Sequence, residues 1–552
     1  MPRASDALGG ALLGAALKLV QGRRHRSLLR AAEAPEAAQA ALLKRILEAN
    51  AETAFGRRHA FARLADAAEF RRAVPIRGYE DHREDIEKQE RTGEKRLTLE
   101  PPVYYNRTSG TVAEPKNIPV TASGLDRLRA HQRLGAYVLA KARLVLSGKT
   151  FAVTGAAVEG HMPGGTPFGS ASGLIYRSQP RWLRSRYVLP PELSEIPDYE
   201  DRYRAMAVFG LSEPEVTCVG TANSSTLVRL LSIVNRDADA LLAAVAEGRG
   251  TDAGEGGAAA FRLRPRPRRA ARLRAALDAA GRLTFADIWP NLRGVVTWMG
   301  GSCGVALRRL SPDLPEDCAI VELGYVASEL RGTLNVDAQR NLCLPALQDA
   351  FFEFAEREAW ESGGTEVLSL DELEEGREYY LFATTPDGLY RYDMNDIVRV
   401  CGHLGRTPAL EFVQKGKGVT NLTGEKLCET QVLEAVTGAL EQRGVRPDFF
   451  IALAERERSR YTLFLEAAGT EPVPELAAEI DARLRAANIE YDAKRASGRL
   501  EPLRLRRLGR GAGEAYRERR VADGQRDAQF KYLHLQYAHE CGFDFDAFAA
   551  AG

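Results

Sequence analysis

The stretch of this chain best fitted to hold an anion is a set of hydroxyl residues around one glycine, followed by a lysine. It reads Tyr105-Asn106-Arg107-Thr108-Ser109-Gly110-Thr111-Val112-Ala113-Glu114-Pro115-Lys116. Gly110 reaches backbone angles closed to other residues, so peptide N–H groups beside it can turn toward a phosphate. Thr108, Ser109 and Thr111 each offer an O–H, and Lys116 adds a full positive charge. The spacing is not that of a Walker loop, whose lysine directly follows a glycine; here Lys116 follows Pro115. An ordinary polar turn has the same composition, so the rest of the chain must supply the partners that phosphate chemistry needs.

Two later blocks offer them. Gly294-Val295-Val296-Thr297-Trp298-Met299 reads as a buried strand running into Gly300-Gly301-Ser302-Cys303-Gly304, where a flat ring could approach the backbone at Gly301. A second apolar strand, from Ala319, stops at Tyr325-Val326-Ala327-Ser328-Glu329. In open α/β sheets such strand ends line the ligand crevice. A carboxylate there can hold Mg²⁺, which neutralises phosphate charge. In the other block, two β-rich runs flank the turn Pro386-Asp387-Gly388, which predicts a hairpin. Asp396 is expected where the second run turns away. A carboxylate accepts two hydrogen bonds, as a ribose diol requires, and Asp393 is the rival for that role. Asn395, just before Asp396, tolerates left-handed backbone angles.

The elements that must position these groups fit a chain of two or three domains, since it has 552 residues. The net charge of +1 gives no global field for nucleic acid or an anionic membrane. Seven cysteines (Cys218, Cys303, Cys318, Cys343, Cys401, Cys428, Cys541) form no Cys-x-x-Cys pair, which disfavours a structural zinc or disulfide framework and suits a reducing cytoplasm. Ala7 to Val20 is too short to span a bilayer and reads as a surface helix. Helices are expected over Pro35 to Ala51, Leu125 to Ala142 and around Leu227 to Val234, with strands at Thr150 to Thr154 and Val216 to Thr221, the rhythm of an α/β domain. Residues 160 to 173 read as a loop, and Thr251 to Ala260 as a break. The arginines from Arg262 to Arg274 read as a solvated face. Glu411 to Gly418 reads as a hinge. Beyond it, strands at Phe449 to Ala454, Tyr461 to Leu465 and Leu500 to Leu508, with helices at Pro474 to Ala487 and Ala515 to Ala522, suggest a small module with one exposed sheet face.

The Thr-Ser-Gly-Thr core followed by a lysine resembles the phosphate loop of the adenylate-forming superfamily. Within it, Thr53-x-Phe55-Gly56, Val74-Pro75 and Tyr79-Glu80-Asp81 resemble the N-terminal region of the Gretchen Hagen acyl acid–amido synthetases. Tyr325-x-x-Ser328-Glu329 resembles the family's second motif, in which the aromatic packs on adenine and the glutamate binds the metal. Tyr390-Arg391 through Asp396 resembles the third, with Asn395 in place of a glycine. Lys415 stands where relatives usually have arginine. Gly424-Glu425-Lys426-x-x-Glu429 resembles the form found in bacterial members, and Gln529-Phe530-Lys531 the lysine segment near the superfamily's C-terminus.

The resemblance implies an α/β fold: a large adenylate-forming domain over 1–413, with mixed sheets, helices and a β-barrel-like part, and a small mobile α+β domain over 414–552. It implies ATP and Mg²⁺ as cofactors, a carboxylic acid and an amine (an amino acid) as substrates, a monomer, and no nucleic acid or membrane partner. The catalytic residues would be Lys531, Lys426 and Glu329, the last also the metal ligand. Thr108, Ser109, Gly110, Thr111, Lys116, Gly301, Tyr325, Ser328, Asp396 and Lys415 would contact the nucleotide. The acceptor stays open between an amine and a thiol of CoA or a carrier protein. A nucleotide-binding protein without catalysis is the reading from another class.

Overall fold

The computed structural model describes residues 21–549 apart from 109–114, 146, 180, 197, 250–260, 262, 301, 417–418, 421, 424, 426, 469–472, 497 and 524–529. The helix expected over Ala7 to Val20, the break from Thr251 to Ala260, and site candidates Ser109, Gly110, Thr111, Gly301 and Lys426 lie outside the described residues. The chain divides into two compact units. One comprises Met1–Met299, Leu310–Met394 and Arg399–Glu411; the other comprises Gly300–Arg309, Asn395–Val398 and Phe412–Gly552.

The first unit opens on the helix Pro35–Asn50, which has proline in its first turn and buries Leu42, Leu43, Ile46 and Leu47. Proline fits there because the first-turn N–H has no intrahelical partner. Thr53 caps the next helix, Ala54–Arg58, by accepting from Gly56 N at 2.9 Å. Gly56 is required by close packing: a Cβ would stand 2.1 Å from the Asn50 carbonyl oxygen. Phe55 then stacks on Tyr390 with ring centroids 4.6 Å apart, which ties the N-terminal motif to the third one.

Four parallel strands form the central sheet, in the order Lys149–Ala152, Val216–Gly220, Gly294–Thr297 and Ala319–Glu322. Sequential parallel order is the expected product of strand–helix–strand crossovers. The helices Tyr199–Ser212, Ser225–Arg236, Ala238–Glu247 and Pro267–Ala280 supply the apolar cluster packed with this sheet, around Phe151, Leu230, Val295 and Trp289. The arginine run is not wholly solvated. Arg269 is buried in Pro267–Ala280 and donates to the carbonyls of Leu211, at 3.0 Å, and Ile288.

A second sheet pairs Pro102–Thr108 with Lys116–Thr121 on one side and Pro167–Gly169 on the other, with Gly160–His161 beyond. Residues 160–173 are therefore not a plain loop. Their glycines serve close packing. A Cβ on Gly160 would meet the Phe168 ring at 2.6 Å, and one on Gly169 the Ala157 carbonyl at 2.6 Å. Ala171–Arg177 is already helical.

The expected hairpin is present as neighbouring strands in the sheet Phe351–Glu356, Glu378–Thr384, Tyr392–Leu404 and Thr407–Lys415. Its turn docks elsewhere. Asp387 accepts from Thr121 N and Oγ1 at 3.0 and 2.6 Å, at the start of the helix Ala122–Lys141. Asp396 does not leave the strand at a turn. It lies inside Tyr392–Leu404, directly after Asn395, whose φ of 49° puts a left-handed kink within the strand. The segment expected as a hinge is strand through Lys415.

The second unit is built on a four-stranded sheet ordered Arg504–Arg507, Arg460–Ala467, Pro447–Glu455, Leu535–Tyr537. No face of it is left bare. Phe450, Ala452 and Ala454 point into one cluster with Val432, Val436, Leu476 and Ile480 from the helices Glu429–Glu441 and Val473–Ala487. Phe449, Ile451 and Leu453 point into another, with Ala512, Tyr516, Phe530, Cys541 and Phe545. The expectation of one exposed face fails because helix Ala512–Ala522 and the aromatic segment from Phe530 onward cover it. Val305, from helix Ser302–Leu310, packs against the first cluster. No described helix is long and apolar enough to cross a membrane.

Candidate active site

In the first unit, three residues from three motifs form one hydrogen-bonded line. Thr108 pairs with Lys116 in the ladder, so the two ends of the hydroxyl-rich stretch face each other. Lys116 Nζ donates to the Tyr392 hydroxyl at 3.2 Å, and that hydroxyl donates to Glu329 Oε1 at 3.2 Å. The ammonium lies 5.8 Å from the ring centroids of both Tyr79 and Tyr392. Burial, reinforced by the Glu329 carboxylate, holds the Tyr392 phenol far above its usual range, so it stays a donor.

Each member has a physical support. Tyr79 OH accepts from Asn117 N at 2.7 Å, which fixes the strand just after Lys116. Ser328 and Glu329 are the two central residues of a tight hairpin turn, closed by Ala327 N to Leu330 O at 2.9 Å. Asn106 Nδ2 donates to the Ser328 carbonyl at 2.9 Å, which joins that turn to the strand leading into the phosphate stretch. The Tyr325 ring is buried over Gly332, where a Cβ would stand 2.1 Å from the ring. Tyr392 is placed by its neighbour Arg391, which has φ of 45°. Arg391 donates to Glu353 Oε2 at 2.9 Å and to the carbonyls of Arg71 and Val74 at 2.9 and 2.7 Å. Arg71 holds the other oxygen of Glu353 at 3.0 Å. The sequence alone assigns neither Arg391 nor Tyr392 a role, because their partners lie from 38 to 320 residues away.

A further guanidinium in the same hairpin is not satisfied this way. Arg331, bridged in the backbone to Val326, has its Nε shut from solvent and unbonded. Burial alone pushes the group down to about 10.

The second unit carries its own set. Asp396 is buried, and its Oδ1 lies 2.6 Å from the exposed Lys415 ammonium. Gly416 N donates to Asn395 O at 2.8 Å, which aligns those two segments. Lys531 Nζ stands 4.7 Å over the Phe412 ring. Burial lowers the Lys531 ammonium, and Cys303, Asp396, Lys415 and Glu429 all act on it electrostatically. Glu429 is the first residue of helix Glu429–Glu441 and accepts from His534 N at 2.6 Å. Burial pushes its carboxyl up to about 7, against the pull of the His534 N–H and Lys531. Glu425 is structural. It accepts from the N–H groups of Leu422 and Thr423, at 2.7 Å each, and from the Tyr461 hydroxyl at 2.5 Å. Although burial opposes it, these donors hold the Glu425 carboxyl low.

Among the described residues, no three His, Cys, Asp or Glu side chains gather as a metal cage. A single carboxylate such as Glu329 is nonetheless a fitting ligand for Mg²⁺, which binds through one or two carboxylates plus substrate phosphates.

The fold is that of the adenylate-forming enzymes. A 2-hydroxyisobutyryl-CoA ligase in the postadenylation state superposes with a TM-score of 0.57 at 12% identity, covering 93% of this chain and 90% of that one. The GH3.15 acyl acid amido synthetase gives a TM-score of 0.83 at 21% identity, covering 95% of both chains. The GH3 family N-terminal, central and C-terminal domains match residues 24–316, 343–415 and 430–539, and the chain belongs to the GH3 family. The indole-3-acetic acid-amido synthetase GH3.3 of Arabidopsis thaliana is 24% identical over 534 residues, covering 89% of this chain and 88% of that protein. The 4-substituted benzoates-glutamate ligase GH3.12 of the same plant is 24% identical over 534 residues, covering 89% and 91%.

Proposed function

We propose that this protein is an ATP-dependent ligase that adenylates a carboxylic acid and transfers the acyl group to an amine, an amino acid. The line Lys116–Tyr392–Glu329 carries this reading, because it joins the phosphate, metal and nucleotide motifs through one buried phenol. Attack of the acid on the α-phosphorus of ATP gathers negative charge, and fixed cations and donors stabilise such a transition state. Lys116 serves the phosphates, with Thr108, Ser109, Gly110 and Thr111. Tyr325, Ser328 and Gly301 serve the adenine. Asp396, held by Lys415, serves the ribose. Mg²⁺ held by Glu329 would neutralise phosphate charge.

Lys531 and Lys426 supply charge from the small domain, residues 414–552, which moves as a unit relative to residues 1–413. The amine then attacks the mixed anhydride and AMP leaves. Relatives titled amido synthetases and a glutamate ligase support an amine acceptor. The Gly424-Glu425-Lys426 segment supports a bacterial source, the cysteine pattern a reducing cytoplasm, and the family resemblance a monomer.

ATP–pyrophosphate exchange across a panel of carboxylic acids tests the first half-reaction. Mass spectrometry with amino acids and CoA tests the second. Amide products bear the reading out; thioesters alone, or no exchange with any acid, would overturn it.

A further inference from the structure

Two guanidinium groups near the site are treated in opposite ways. Arg391 is buried with Glu353 and two carbonyls around it. Arg331 lies two residues after Glu329, its Nε closed from water, and no described residue pairs with or hydrogen-bonds its side chain. Val326 and Arg331 face each other across the hairpin. Their side chains therefore share the face opposite the Tyr325 ring, since successive side chains alternate. Of the other arginines with an unbonded buried nitrogen, Arg77 lies over the Phe55 ring and the Arg184 side chain also has no described hydrogen-bond or salt-bridge partner, whereas several have a second nitrogen engaged. Arg129 reaches Asp126, Arg229 reaches Glu200, and Arg460 reaches Glu455. Arg331 as a residue is half-buried, with its Nε shut from solvent, and a partly desolvated cation without an anion is held at a cost. A site that keeps one gains from a ligand that supplies the missing charge.

We propose that Arg331 binds a spectator carboxylate of a substrate, one that does not react. This rests on the ligase reading above. The reacting carboxylate is a poor match for a permanent guanidinium. It loses its charge on adenylation, and tight pairing beforehand would stabilise the ground state and slow the attack. A carboxylate that stays ionised through both half-reactions suits the planar two-pronged geometry of arginine. It has two sources: the second carboxylate of a dicarboxylic acid, or the α-carboxylate of the amino-acid acceptor.

The test compares the full-length protein with Arg331→Met, which keeps the apolar stem and removes the charge, and with Arg331→Lys. Pyrophosphate exchange with glutarate against butyrate, and terephthalate against 4-methylbenzoate, reads the acid. Amide formation with an amino acid against its α-methyl ester reads the acceptor. If the acid supplies the carboxylate, the wild type prefers each dicarboxylate by ~10-fold or more in kcat/KM, and Arg331→Met erases the preference through KM rather than kcat. If the acceptor supplies it, exchange is unaltered while KM for the free amino acid rises ~10-fold and that for the ester does not. Arg331→Lys retains part of either effect. Arg331→Met melts at or above the wild-type temperature, because a half-buried charge without a partner has been removed.

Unaltered kinetics in both arms, or a lower melting temperature, overturns the proposal. Should no acid support exchange, the ligase reading falls first. Thermal shifts by glutarate and by the free amino acid then decide for Arg331 separately: a shift with the wild type that Arg331→Met lacks upholds the carboxylate site, and equal shifts overturn it.

Discussion

The Tyr392 hydroxyl donates to Glu329 Oε1 at 3.2 Å. The pair links the third motif to the second, and Lys116 extends it to the first. Tyr392→Phe keeps the ring and deletes only the link. Hydrogen bonds to charged groups contribute about 1.5–3 kcal/mol. We therefore expect pyrophosphate exchange to fall about 10- to 100-fold in kcat/KM. Exchange at the wild-type rate would show that Lys116 and Glu329 are positioned without the phenol.

Asp396 is buried against Lys415. If it holds the ribose hydroxyls, Asp396→Ala weakens ATP binding by about 1.5–3 kcal/mol. Calorimetric titration with a non-hydrolysable ATP analogue measures this directly. Normal affinity, together with a loss in Asp393→Ala, would move the role to Asp393.

Lys531 stands over Phe412 in the second unit and comes from the far end of the chain. Lys531→Ala is expected to lose pyrophosphate exchange by about 10²-fold, the scale of one transition-state donor. Supplied with preformed acyl-adenylate, the variant should still transfer the acyl group at near-normal rate. Equal loss in both half-reactions would leave Lys531 without a special part in adenylation.

Glu429 gives a pH signature. Its carboxyl rises to about 7 in the folded chain from an ordinary 4.5. Between those values the folded protein keeps a proton that the unfolded chain has released, so stability falls as pH rises through this window and levels off above it. In Glu429→Gln that slope is absent. Urea midpoints from about pH 5 to about pH 8 should therefore decline more steeply for the wild type than for the variant. Parallel curves would mean that the carboxyl titrates normally.

The parts of this site that could be read from sequence are those with a local signature. Glu329 ends a strand-and-turn pattern, and Asn395 announced a left-handed residue that the structure has at φ 49°. The arrangements that escaped notice depend on contacts across the chain. Nothing near Arg391 indicates that Glu353, Arg71 and Val74 will surround its guanidinium. Asp396 was expected at a turn because the kink at Asn395 looks like a strand end; the strand absorbs it and continues to Leu404. The doubly covered sheet did leave a trace. Phe449-Phe450-Ile451-Ala452-Leu453-Ala454 has no polar alternation, which is the mark of a strand buried on both faces.

That sheet has a consequence for biosynthesis. Its strand Pro447–Glu455 takes Leu535–Tyr537 as a neighbour, and one of its faces is sealed by Phe530, Cys541 and Phe545. A ribosome that has just delivered Glu455 has delivered little more of what shields it than helix Glu429–Glu441. Until some ninety further residues emerge, the nascent chain carries a bare aromatic and aliphatic surface, the kind that chaperones engage and that aggregates otherwise. Residues Gly300–Arg309, made far earlier, must wait for the same event to reach their final packing. Premature termination between Ala467 and Phe530 should thus release a protein whose first unit can fold and whose remainder is a target for proteolysis.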